Sequence, residues 1–96
     1  MKKIIELDLT GCKRLRDLHE RIRVAFDFPD WYGRNWDAFW DLLWSECDAE
    51  EVVIRGEHTL PPEFAKHLAI MHEVLDDNIT FCKEHHYPPF SYRIVD

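Results

Sequence analysis

Apolar residues recur along this chain in two rhythms that divide it into short strands and longer helices. The run from Lys3 to Leu9 is short and rich in isoleucine and leucine, and Thr10-Gly11 closes it, which predicts a strand. Leu15, Leu18, Ile22, Ala25 and Phe26 follow at spacings of three and four among charged residues, the pattern of an amphipathic helix ending near Asp27. Pro29 and Gly33 mark a loop. Asn35 is placed to cap a second helix running through about Glu46, with Asp37 in its first turn where a negative charge suits the exposed amides. Val52-Val53-Ile54 predicts a second strand, turned at Gly56. Pro61-Pro62-Glu63 reads as the start of a third helix. Its apolar stripe is Leu68, Met71, Leu75, Ile79 and Cys82; Asp76-Asp77-Asn78 is a candidate interruption and Pro88-Pro89 the stop. Phe90, Tyr92 and Ile94 alternate as a last strand. A helical crossover separates each pair of strands, so the expected architecture is a single α/β domain over residues 1–96. It has a small three-stranded parallel sheet, right-handed connections and packed helices.

The second helix carries a sharper message than its neighbours. At 100° per residue, Asp37, Asp41, Trp44 and Asp48 fall on one stripe, while Phe39, Leu42 and Leu43 fall on the far side and should face the core. Trp36 and Trp40 lie between the two faces, and Trp40 is a candidate for a half-exposed ring beside the acids. Core packing can explain some of the four tryptophans but not all of them, because the aspartates forbid a helix buried all round. Asp37 is accounted for by the helix dipole. Asp41 lies beyond the first turn, four residues from a like charge and with no cation within helical reach, an arrangement that destabilises an isolated helix. A local cost without a local compensation points to a cation on another molecule.

Charge concentrates in the same place. Residues 27 to 51 hold eight acids against the single base Arg34, and the remainder of the chain is balanced, so the overall net charge of −7 resides in this segment. Such a field attracts a cationic partner and repels nucleic-acid phosphates. No apolar stretch approaches membrane-spanning length, and the first residues meet charge too soon for a signal peptide, so a cytoplasmic protein that binds neither nucleic acid nor membrane is expected. Cys12, Cys47 and Cys82 are odd in number and widely spaced, which predicts reduced, mostly structural thiols rather than a disulfide framework or a zinc site.

The block Pro29-Asp30-Trp31-Tyr32-Gly33-Arg34-Asn35-Trp36-Asp37-Ala38-Phe39-Trp40-Asp41, with Asp17-Leu18-His19 before it and Val52-Val53-Ile54 after it, resembles the barstar family of small ribonuclease inhibitors. The element Tyr-Gly-x-Asn-x-Asp-Ala-x-Trp-Asp is met by Tyr32, Gly33, Asn35, Asp37, Ala38, Trp40 and Asp41. The resemblance implies a three-stranded parallel sheet with helices, and a second helix and preceding loop that plug a ribonuclease active site with acids in place of substrate phosphates. Carried over, Asp41 is the central anion, Asp37 a second charge and acceptor, Trp40 an apolar contact, and Asn35 and Gly33 loop contacts. Trp31 stands where the family has a contacting tyrosine. The family's tryptophan and glycine just past the helix are absent, Ser45 and Glu46 occupying that stretch, and Asp48 matches a peripheral acid. The family's glutamate on a later helix has three candidates here: Asp76, Asp77 and Glu84.

The residues expected to meet a partner are therefore Trp31, Gly33, Asn35, Trp36, Asp37, Trp40, Asp41 and Trp44, and the partner expected is a basic ribonuclease or toxin nuclease, with this chain its immunity protein and a monomer when free. The competing expectation is a small acidic enzyme using Asp37 and Asp41 with a metal or a histidine. No His-x-x-x-His, glycine-rich phosphate loop or nucleophile motif supports it, and His85-His86 before Tyr87-Pro88-Pro89 reads as a helix end capped by imidazole. No cofactor, metal or catalytic residue is expected.

Overall fold

The three short apolar segments form strands β1 (Ile4–Asp8), β2 (Glu51–Arg55) and β3 (Ser91–Val95) in a computed structural model that describes residues 3–95. Residues 1, 2 and 96 of the expected 1–96 unit lie outside the described residues. The sheet is parallel throughout, in the order β1-β2-β3, with Ile5 opposite Val52 and Val52 opposite Tyr92, then Leu7 opposite Ile54 and Ile54 opposite Ile94. Central β2 is buried on both faces through Val52, Val53 and Ile54, as a parallel strand between two neighbours requires. On β1 only Ile5 and Leu7 turn inward. The alternation locates the last strand, whose three apolar residues differ in burial: Phe90, one residue before β3, is buried, whereas Ile94 is 44% exposed on this edge strand.

Helices α1 (Leu15–Phe26), α2 (Trp36–Glu46) and α3 (Ala65–Glu84) complete the α/β architecture. Asp17 reaches back to the Arg14 amide at 3.0 Å to start α1, and Asp27, in the left-handed region with φ 56°, ends it where the apolar spacing predicts. Gly56 ends β2 with φ 84°, and a Cβ there would stand 2.5 Å from the Thr10 backbone nitrogen, so no other residue fits the close approach of the two chain segments. The third helix differs from expectation at two points. Pro62–Phe64 forms a tighter 3-10 turn and α3 begins only at Ala65. It then runs without a break through Asp76-Asp77-Asn78. The reason is tertiary: Asn78 is fully buried and its amide donates to the Trp40 carbonyl at 3.3 Å, tying α3 to α2 instead of competing with its own backbone. The core lies between sheet and helices, with Leu7, Leu18, Ile22, Phe39, Leu43, Ile54, Met71 and Leu75 all buried.

Candidate functional site

The loop between α1 and α2 is ordered by α1. Asp30 meets Arg23 at 3.1 Å, the Tyr32 hydroxyl shares a 2.7 Å hydrogen bond with His19 Nδ1, and Arg34 meets Glu20 at 3.0 Å. Tyr32 is 1% exposed, so the two adjacent aromatics take opposite roles: Tyr32 anchors the loop in the core and Trp31 projects outward at 74% exposure. His19 is buried too, and that burial, assisted by the nearby charges of His67 and Arg34, pushes its pKa down to about 4. The Trp36 ring lies 4.5 Å from it.

Asn35 serves local structure. Its carboxamide oxygen accepts from the Ala38 amide at 2.8 Å, capping α2, and its nitrogen donates to the Gly33 carbonyl at 3.1 Å. A Cβ on Gly33 would come within 3.0 Å of that same nitrogen, so the glycine leaves room for the cap.

Along α2 the inward face is Phe39, Leu42 and Leu43, with Phe39 edge-on to Phe26 and Trp36. Asp37, Asp41 and Trp44 are exposed, and Trp36 and Trp40 are half-buried. Among the described residues neither the Asp37 nor the Asp41 carboxylate has a hydrogen bond or an ion pair. The stripe is shorter than the helical wheel suggested. α2 ends at Glu46, so Asp48 leaves the stripe and pairs with Lys3 at 2.5 Å. The acid block is also less bare than its sequence implies, since bases from elsewhere neutralise Asp30 and Asp48 and Arg93 comes within 3.8 Å of Glu51.

Between α2 and α3 runs a groove of about 310 Å³ lined by Trp36, Asp37, Trp40, Ile70, Glu73, Val74 and Asp77. It brings one of the three later-helix candidates, Asp77, to the Asp37 side. Asp76 instead accepts from the Tyr92 hydroxyl at 2.7 Å, and Glu84 is not among the lining residues. Glu73 was missed; its position four residues before Asp77, one helical turn away, was the available signal. A cavity of about 610 Å³ on the α1 side has the reverse character, with Lys13, Arg14, Arg16 and Arg34 outnumbering Asp17 and Glu20. The two sides of the loop therefore favour opposite charges.

His85 accounts for the end of α3 as expected, its ring nitrogen bonding the Phe81 carbonyl at 2.9 Å. Cys12, Cys47 and Cys82 are free thiols. Among the described residues no three His, Cys, Asp or Glu side chains gather as a metal site, and no helix is long and apolar enough to cross a membrane.

Comparison with known proteins places this geometry in context. The family profile described as "Barstar (barnase inhibitor)" matches residues 2–92. A Bacillus subtilis (strain 168) protein named "Putative ribonuclease inhibitor YrdF" is 46% identical over 43 residues, a stretch covering 45% of this chain and 46% of that protein. The match thus spans less than half the length of either chain.

Proposed function

The chain belongs to the barstar family, and from that premise we propose that it is an inhibitor that docks α2 and the preceding loop into the basic active site of a ribonuclease. The observation that carries the reading is the pair Asp37 and Asp41. Both are exposed on one helix edge, both lack a partner among the described residues, and both are flanked by tryptophan. Their mutual repulsion has no compensation within the fold, and a cluster of catalytic cations supplies it.

In this reading Asp41 occupies the centre of the contact and Asp37 the groove side, where Glu73 and Asp77 add charge for a second basic group. Trp31, presented by the pinned loop, and Trp40 provide apolar contact. Trp36 and Trp44 flank the acids, and Gly33 and Asn35 shape the loop. The wider role that follows is an immunity protein: a monomer in the cytoplasm that protects its producer from a basic ribonuclease or toxin nuclease, without itself binding nucleic acid or acting as an enzyme. The competing use of Asp37 and Asp41 in catalysis gains no support, since among the described residues no histidine bonds either carboxylate.

The test is inhibition of purified barnase by the purified chain, with RNA cleavage as the readout. Asp41→Ala should lose most of the inhibition while its melting temperature stays level or rises slightly, because a like-charge contact is removed. Unchanged inhibition, or a clear loss of stability in place of inhibition, would count against the assignment.

A further inference from the structure

Beyond Asp41 the exposed edge of α2 turns from acidic to aromatic. Trp44 is 41% exposed and stacks on Tyr87, itself 47% exposed, with ring centroids 6.1 Å apart and planes at 27°. Phe81 backs both rings, 5.7 Å from Trp44 and 6.3 Å from Tyr87. Leu43, Cys82 and Phe90, all buried, lie next to these outer rings in the lining of one pocket. Beside the stack opens a cavity of about 370 Å³ whose walls include Trp44, Tyr87, Pro88 and Pro89, with Asp48 and Glu50 also lining it. Lys3 neutralises Asp48, but the Glu50 side chain has neither an ion pair nor a hydrogen bond among the described residues.

We propose that this cavity seats an arginine side chain of the protein that docks on α2. The methylene stem lies against Tyr87 and the two prolines, the guanidinium stacks on the Trp44 face, and Glu50 accepts its N–H groups. Charge selects the occupant. Among the described residues Asp41, Glu46 and Glu50 have no ion-pair partner on this stretch and Lys3 is already committed to Asp48, so the local charge disfavours an anion. An apolar side chain would bury Glu50 without a partner, which is costly. The flat stack favours guanidinium over ammonium, since only the former is planar and can also present two N–H groups to one carboxylate. The seat is continuous with the Asp37–Asp41 edge, and it supplies aromatic contact beyond α2 where Ser45 and Glu46 offer none.

The inference rests on the proposed docking only for whose arginine it is. The seat itself is testable without a nuclease, by NMR titration of the full chain at low salt with N-acetyl-arginine amide and its neutral isostere N-acetyl-citrulline amide. The arginine probe should shift the Trp44 indole and Tyr87 ring signals saturably, and the citrulline probe should bind at least about threefold more weakly, the weight of one partly exposed cation–π contact. Glu50→Gln and Tyr87→Ala should each weaken the arginine probe by a similar factor, with Tyr87→Phe restoring it. Equal binding of the two probes, non-saturating shifts spread over every carboxylate, or undiminished binding by both variants would overturn the proposal. A chain that seats arginine here yet fails to inhibit barnase would leave the seat standing and count against a barnase-like target.

Discussion

Acidification should destabilise this protein through His19 before its carboxylates come into play. The imidazole is 1% exposed, bonded to Tyr32 on one side, and its Nε2 is buried with no hydrogen-bond partner among the described residues. A proton on that ring has no anion to meet: Tyr32 and Trp36 are neutral, and His67 and Arg34 add only positive charge. The folded pKa is therefore about 4 against an ordinary 6.5. Because the folded value is the lower one, the unfolded chain takes the proton first as pH falls. The neutral-imidazole contribution is complete above about pH 6.5 and is lost progressively down to about 4. At 1.36 kcal/mol per pKa unit, the loss from pH 7.5 is about 2 kcal/mol at pH 5 and about 3 kcal/mol once both forms are protonated. For a domain of this length 2 kcal/mol corresponds to roughly 10 °C in melting temperature. Asp8, Glu20 and Asp48 have pKa values held below the usual carboxylate range by hydrogen bonds, from Thr10, Arg23 and Lys3 respectively, so their losses fall at lower pH. Urea unfolding of the wild type and His19→Gln at pH 7.5, 6.0 and 5.0 separates the effects. The variant should start lower, since it loses packing, but stay flatter across the window. Parallel profiles for the two proteins, or an NMR titration placing His19 near 6.5, would refute the reasoning.

Three further outcomes follow from the same geometry. Phe39→Ala should cost about 3 to 5 kcal/mol, because the ring is fully buried between Phe26, Phe28 and Trp36, and a thermal melt left unchanged would mean that α2 faces the core with another side. Glu20→Gln should leave the melting curve nearly unaltered while quickening amide exchange around Trp31, since Glu20 is paired to both Arg23 and Arg34; unchanged exchange would remove α1 as the organiser of the loop. Raising salt should cut the association rate with an inhibited ribonuclease steeply and the dissociation rate much less, with Glu46→Gln slowing association modestly. A salt-independent association rate in stopped-flow mixing would leave the acid block as an ordinary solvated face.

Much of this arrangement was legible in the residue pattern because it depends on helical and strand periods alone. The split of α2 into Phe39, Leu42 and Leu43 inside and Asp37, Asp41 and Trp44 outside follows from 100° per residue, and the Asn35 cap from its place before the apolar run. What escaped needed distances between elements. Glu73 and Asp77 join Asp37 only through the packing of α3 on α2, and Asp76, their neighbour, faces Tyr92 instead. Asp48 left the stripe because the wheel extends past a helix that has already ended. The local −7 overstated the bare charge because Arg23 and Lys3, both outside the segment, reach Asp30 and Asp48. The continuity of α3 through Asn78 rests on a bond to Trp40, far away in sequence.

The three ties from α1 to the loop also bear on how fast recognition can be. A disordered segment must lose about 1 to 2 kcal/mol of backbone freedom per residue when it is captured. Here Asp30, Tyr32 and Arg34 are tied to α1 in the folded chain, so the backbone on either side of Trp31 is held before any encounter. Docking through this loop, as proposed, would then need no slow ordering of the loop backbone after contact. Its observed rate should climb linearly with partner concentration and never level off, the behaviour of a rigid key rather than of a surface that must first rearrange.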